Sequence, residues 1–131
     1  MNGSCLCGEI KYSIEKLSTE IAHCHCKTCR KAHSAAFNTT AGIKPEYFKW
    51  VKGEEKLAGY ESSKAKVRYF CPNCGTHLIA KKKDAPFWVL RLGSLDDDPN
   101  VTPTNSIWCS QEETWMDYST EVKKWDEWVE K

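Results

Sequence analysis

The chain has 131 residues, 40% of them hydrophobic and 28% charged, an ordinary globular composition that gives no sign of disorder. A formal net charge of +1 lacks the basic excess on which non-specific nucleic-acid binders depend, and no apolar run is long enough to cross a membrane as a helix. We expect one domain over residues 1–131, short enough that a metal staple would add useful stability to a modest core.

Met1 to Gly8 are polar and contain Cys5 and Cys7, so the start lacks the basic and apolar regions of a secretion signal. The expected compartment is a reducing cytoplasm, where clustered cysteines bind metal or do redox chemistry more often than they pair as disulfides. From Cys5 a metal knuckle is predicted to run into a strand ending at Ile14, because Ile10, Tyr12 and Ile14 alternate with Glu9, Lys11 and Ser13. His23, Cys24, His25, Cys26 and Cys29, followed by Arg30, Lys31 and His33, read as a turn that opens a short helix. Pro45 and Gly53 bracket an aromatic stretch at Tyr47, Phe48 and Trp50. Leu57 to Glu61 and Lys66 to Phe70 are predicted strands, the second leading into a knuckle at Cys71, Pro72, Asn73, Cys74 and Gly75. His77 to Lys81 and Phe87 to Leu92 form a further expected hairpin around Asp84, Ala85 and Pro86, with Lys81, Lys82 and Lys83 as its solvated tip. Asp96 to Thr104 is a loop before a short strand near Ile107 and Trp108. Val122, Trp125 and Val129 recur at helical spacing and predict an amphipathic helix over Ser119 to Glu130. The sum is mainly β, with few short helices.

The chain has eight cysteines. Cys71 and Cys74, spaced CxxC, can turn two thiolates toward one cation, and Gly75 permits the tight turn. The leading CxC of Cys5 and Cys7 is the natural donor of the other half, giving a closed four-thiolate zinc site with a structural role. Cys24, Cys26 and Cys29, spaced CxCxxC, can hold a second zinc while leaving its fourth position for water or substrate, which is the mark of a catalytic centre. Zinc held in this way binds a thiol as thiolate and polarises a carbonyl. His23 or His25, as fourth ligand, would make this site structural instead. A redox pair at Cys26 and Cys29 and an iron–sulfur cluster are further readings of the same residues. Cys109, with no basic neighbour in sequence, reads as a small buried or half-buried residue.

Three segments in order resemble the glutathione-dependent formaldehyde-activating enzyme family, also called the centromere protein V domain. Gly3-Ser4-Cys5-Leu6-Cys7-Gly8 is similar to its opening CxC, Cys24-His25-Cys26-Lys27-Thr28-Cys29-Arg30 to its CHCxxC, and Phe70-Cys71-Pro72-Asn73-Cys74-Gly75-Thr76-His77 to its FCxxCGxH. Gly93-Ser94-Leu95-Asp96 looks like the family's G-S-L-D segment. Further on, Asn105-Ser106-Ile107-Trp108 departs from the His-Ile-Phe-like stretch of many members. The resemblance implies a β-tent fold of short antiparallel sheets stapled by two zincs. Cys5, Cys7, Cys71 and Cys74 would hold the structural ion, and Cys24, Cys26 and Cys29 the catalytic one. It also implies a carbon–sulfur lyase acting on glutathione and formaldehyde, similar to S-(hydroxymethyl)glutathione synthase.

An enzyme of this kind would draw on Arg30, Lys31, His33 and His77 to hold anionic groups or move protons. In the alternative, both zincs are structural and an aromatic surface from Trp50, Trp88, Trp108 or Trp115 binds a protein partner; these tryptophans are otherwise expected in the core. Nucleic-acid binding through the knuckles and the lysine run is disfavoured by the near-zero charge.

Overall fold

The computed structural model describes residues 1–116 and 122–129. In chain order the elements are β1 (Asn2–Ser4), β2 (Lys11–Ile14), β3 (Ala22–Cys24), α1 (Lys27–His33), β4 (Asn38–Ile43), β5 (Phe48–Lys52), β6 (Ala58–Ser63), β7 (Lys66–Phe70), β8 (His77–Lys82), β9 (Trp88–Arg91) and β10 (Asn105–Ile107). The fold is therefore mainly β with one short helix among the described residues, as the alternating patterns predict. β1, β2 and β5 form a three-stranded sheet; a seven-stranded sheet runs β10-β3-β4-β9-β8-β7-β6. Neighbours are antiparallel throughout except β10, which pairs parallel to β3.

The core lies between the two sheets. Ile10, Tyr12, Ile14 and Phe48 from the small sheet meet Ile43, Leu78, Ile79 and Leu90 from the large one, with Cys5 and Cys71 at the same cluster. The predicted alternation of the first strand is realised, since Ile10, Tyr12 and Ile14 are all buried. Tyr12 stacks on Phe48 with ring centroids 5.0 Å apart and covers Gly3, where a Cβ would meet its ring at 2.1 Å. A side chain at residue 3 would therefore displace the ring and open the core. β1 itself carries too short a pattern to announce a strand.

The register of the large sheet separates its faces. Ala41, Leu90 and Ile79 are cross-strand partners on the core side. The opposite face carries Cys24 opposite Asn38, Thr40 opposite Arg91, and Arg68 opposite Ala80. It is polar yet enclosed: Cys24, Asn38, Arg68 and Arg91 are buried. α1 lies over this polar side, contacting β4.

The C-terminal expectation is corrected in part. Residues 122–129 contain no helix, and Val122 and Val129 are 54% and 66% exposed, so the apolar stripe finds no surface to cover; a short helix without such a surface is marginal in water. Residues 119–121 and 130 of the expected helix lie outside the described residues. The tip of the β8–β9 hairpin also differs in detail, because Lys81 lies 3.8 Å from the centroid of the Trp88 ring, while Lys82 and Lys83 are exposed as expected.

Candidate metal centres and the adjoining cavity

Two knuckles of matching construction bring the first group of cysteines together. In one, Gly8 N–H donates to the Cys5 carbonyl at 3.0 Å; in the other, Gly75 N–H donates to that of Cys71 at 2.7 Å. Both glycines have left-handed φ, +78° and +81°, with no neighbour crowding the missing Cβ. The requirement for glycine is conformational, and it turns each pair of thiols inward. Cys5, Cys7, Cys71 and Cys74 place their sulfurs within 4.8 Å of one another, with Cys5–Cys7 at 3.6 Å and Cys7–Cys71 at 3.8 Å. Zinc–sulfur bonds of about 2.3 Å at tetrahedral angles space sulfurs by about 3.8 Å, so the four thiols fit such an ion. Thr76 ties the knuckles together: its hydroxyl accepts from Leu6 N–H at 3.0 Å and sits 3.3 Å from the Cys74 sulfur.

The second group sits at the start of α1. Cys26 is the N-cap, its sulfur accepting from Cys29 N–H at 3.2 Å, a role usually taken by Ser, Thr, Asp or Asn. Arg30, Lys31 and His33 fill the last turn, where they favour the helix dipole, and Ser34 ends the helix in a left-handed conformation. Cys24 comes from the end of β3 and Cys29 from one turn into α1. The three sulfurs lie within 4.8 Å of one another and fit a metal with one position left over. No histidine or acidic group joins them among the described residues, so His23 and His25 are not brought to this site. His23 instead bonds through Nδ1 to the Thr39 hydroxyl at 2.9 Å, and both rings pack against Phe37.

The thiols differ in their surroundings. The Cys24 thiol, then Cys26 and Arg68, hold Cys29 down at about 4 against the effect of burial. Cys24 is pushed upward, first by its hydrogen bond to Cys29 and then by burial. The Arg68 guanidinium stands 3.7 and 3.8 Å from the Cys29 sulfur through its two terminal nitrogens, and its Nε donates to Ser62 at 2.9 Å. Arg91 lies near all three cysteines, and burial followed by repulsion from Arg68 lowers it to about 10.

Between α1 and the polar sheet face lies a cavity of about 590 Å³, walled by Lys27, Thr28, Lys31 and Ala32 on one side and by Tyr60, Ser62, Arg68, Phe70 and His77 on the other. Lys27 and Thr28 adjoin Cys26 and Cys29 in sequence, and Arg68 touches Cys29, so the cavity abuts the three-thiol group. Of the four helpers expected from sequence, Lys31 and His77 line it. His33 packs on His77 with ring centroids 4.7 Å apart, and Arg30 pairs instead with Glu113 at 3.2 Å. Burial, then Arg91 and His77, depress His33 to about 3; His77 is lowered by burial, Arg91 and Arg68. Both imidazoles are thus neutral at neutral pH.

A strap following β10 closes the end of α1. Ile107 C=O accepts from His25 N–H at 3.0 Å, and the Gln111 side chain accepts from Lys27 N–H at 2.9 Å. Cys109 lies on this strap and is exposed, not buried or half-buried. It follows Trp108, whose left-handed φ of 57° turns the chain outward. Trp108 and Trp115 are likewise 58% and 72% exposed, whereas Trp50 and Trp88 are half-buried against Phe48.

The profile of the glutathione-dependent formaldehyde-activating enzyme family matches residues 1–111. A Podospora anserina protein provisionally named as such an enzyme is 33% identical over 90 residues, 66% of this chain and 42% of that protein. An uncharacterized lyase of Schizosaccharomyces pombe is 38% identical over 77 residues, 58% of this chain and 53% of that protein. The chain thus spans about half the length of the curated relatives it matches. A crystal structure of a Rhodobacter sphaeroides protein superposes with a TM-score of 0.66 at 20% identity, covering 81% of this chain and 99% of that one, a likeness of fold.

Proposed function

The chain belongs to the glutathione-dependent formaldehyde-activating enzyme family, and from that premise we propose that residues 1–131 are one zinc-binding domain of a cytoplasmic carbon–sulfur lyase. Its substrate is a small thiol adduct such as that of glutathione with formaldehyde. Cys5, Cys7, Cys71 and Cys74 hold a structural zinc; Cys24, Cys26 and Cys29 hold a catalytic one. The observation that carries this reading is the three-thiol group without a fourth protein ligand among the described residues, set beside a cavity.

Bound there, zinc would supply a Lewis acid that keeps an incoming sulfur as thiolate and polarises a carbonyl oxygen. The chain's own groups do the rest. Lys27 and Lys31 offer ammonium groups to the carboxylates of a peptide-like thiol at the cavity wall. Tyr60 and Phe70 supply apolar surface that displaces water from the bound tail. His77, on the cavity wall and kept neutral by burial, is the group we assign to take the proton that leaves the thiol.

A second reading, a protein-binding module with two saturated zincs, draws on the exposed Trp108 and Trp115. Zinc content and sulfur coordination separate the two. Reduced wild-type protein is expected to carry two zincs, and Cys26→Ser and Cys71→Ser one each. Glutathione is expected to add a sulfur ligand to the wild type and to Cys71→Ser, seen by X-ray absorption, but not to Cys26→Ser. Two zincs that both ignore thiols would overturn the enzyme reading and favour the module.

A further inference from the structure

Arg68 and Arg91 are each 3% exposed, and the ion pairs seen among the described residues, Arg30–Glu113 and Lys56–Glu9, involve neither. Burying a guanidinium without an opposite charge is costly, so each needs a counter-charge nearby. Among the described residues Arg68 has the Ser62 hydroxyl and the Cys29 sulfur as hydrogen-bond partners. Among the described residues Arg91 has no partner at Nε or Nη2, and the charged groups that act on it are Arg68, the three cysteines and Lys66. β7 and β9 project both side chains onto the face that carries Cys24, so the register itself gathers two cations at the three-thiol group.

The charges decide what fits. Three thiolates on a divalent cation leave one net negative charge; the two guanidiniums exceed it by one, and the half-buried Lys66 on the same face, which acts on Cys29 and Cys26, adds to the excess. An anionic fourth ligand lowers that excess; water or imidazole does not. We infer that Arg68 and Arg91 are specificity-determining residues, which make the second metal centre prefer an anionic fourth ligand over a neutral one. They act through the charge they place at the metal centre. The inference rests on the proposed metal at Cys24, Cys26 and Cys29, and it gives the site a reason to accept a sulfur as thiolate.

The test uses reduced protein loaded with cobalt(II), whose visible absorption reports the open position while the four-thiol site stays constant. Azide is the anionic probe and imidazole the neutral one. Arg91→Met is expected to weaken azide about tenfold or more, since removing one charge several ångströms away in a partly screened site changes affinity by that order. Imidazole affinity should stay within about twofold, and Arg91→Lys should restore most of the azide preference. Equal weakening of both probes, or an unchanged azide affinity, would overturn the inference. Should Arg91→Met fail to hold cobalt at the second site, the same ratio is read from Arg68→Lys and Arg68→Gln, with the preference kept in the first and lost in the second. A separate arm adds mercaptoethanol to the wild type. Absence of a new sulfur-to-cobalt charge-transfer band would sink the thiol-handling reading, while the azide-to-imidazole ratio still decides the role of the arginines.

Discussion

Replacing Ser94 by alanine should cost more stability than replacing Tyr12 by phenylalanine, although tyrosine is the larger and more central side chain. The reason is the direction of two hydrogen bonds. The Ser94 hydroxyl donates to the Arg91 carbonyl at 2.8 Å, which uses its only hydrogen. The Tyr12 hydroxyl, 2.6 Å away and buried, must therefore be the donor to Ser94. Tyr12→Phe removes that donor cleanly and leaves the Ser94–Arg91 bond intact, a loss of about 1 kcal/mol. Ser94→Ala strands the buried tyrosine hydroxyl and the Arg91 carbonyl together, a loss of about 2–3 kcal/mol. In the double variant no hydroxyl is stranded, so its cost should fall about 1 kcal/mol short of the sum. Urea unfolding at fixed zinc, followed by tryptophan fluorescence with an unchanged m-value, gives the three numbers. Additive costs, or a Tyr12→Phe penalty above that of Ser94→Ala, would refute the assigned hydrogen-bond directions.

Other outcomes follow from burial and backbone geometry. Ile79→Ala, at a position with no exposed surface between the sheets, should lose about 2–5 kcal/mol in the same urea assay. Gly75→Ala meets no atom but must hold φ near +81°, so it should cost about 1 kcal/mol and weaken zinc at the four-thiol site, read by competition with a chromophoric chelator. His33, with a folded value of about 3 against an ordinary 6.5, takes up a proton only in the unfolded chain between those pH values, so it favours folding above about 6.5 and that contribution is lost as pH falls toward 3. The slope is at most about 1.4 kcal/mol per pH unit, reduced by partial solvent contact, and urea midpoints between pH 7 and 5 should fall less steeply for His33→Gln; parallel curves would contradict it.

Several strands and both cysteine groups were legible because each is written in local pattern, with period-two alternation at Ile10, Tyr12 and Ile14 and thiols at metal-ligand spacing; β1, β3 and β4 carry no such pattern and were not. The G-S-L-D segment gains a physical reason, with Ser94 buried under Tyr12 and Asp96 accepting from the Ser4 hydroxyl at 2.9 Å. No local signal in the sequence marks Arg68 and Arg91. In Lys66 to Phe70, Arg68 alternates with Lys66 and reads as part of a solvent face, while Arg91 is a single charge near the end of the apolar run Phe87 to Leu92 and reads as its exposed edge, unless α1 is known to lie over both. The long-range fact of that cover, not any local signal, makes them part of the site. The exposure of Cys109 escapes local pattern for the converse reason, since the turn at Trp108 depends on a strap held by the partners of Ile107 and Gln111.

The contact between Cys7 and Cys71 spans 64 positions of the chain. During synthesis, the first two thiols emerge long before the pair that completes their site. Until Cys74 has left the ribosome, Cys5 and Cys7 can offer a metal only half a shell, so capture of an ion at the proposed four-thiol site would be a late event, tied to the arrival of the second knuckle. Any oxidant or competing soft metal met in that interval acts on two unprotected thiols. A protein of this design thus has its window of greatest chemical vulnerability before folding is complete.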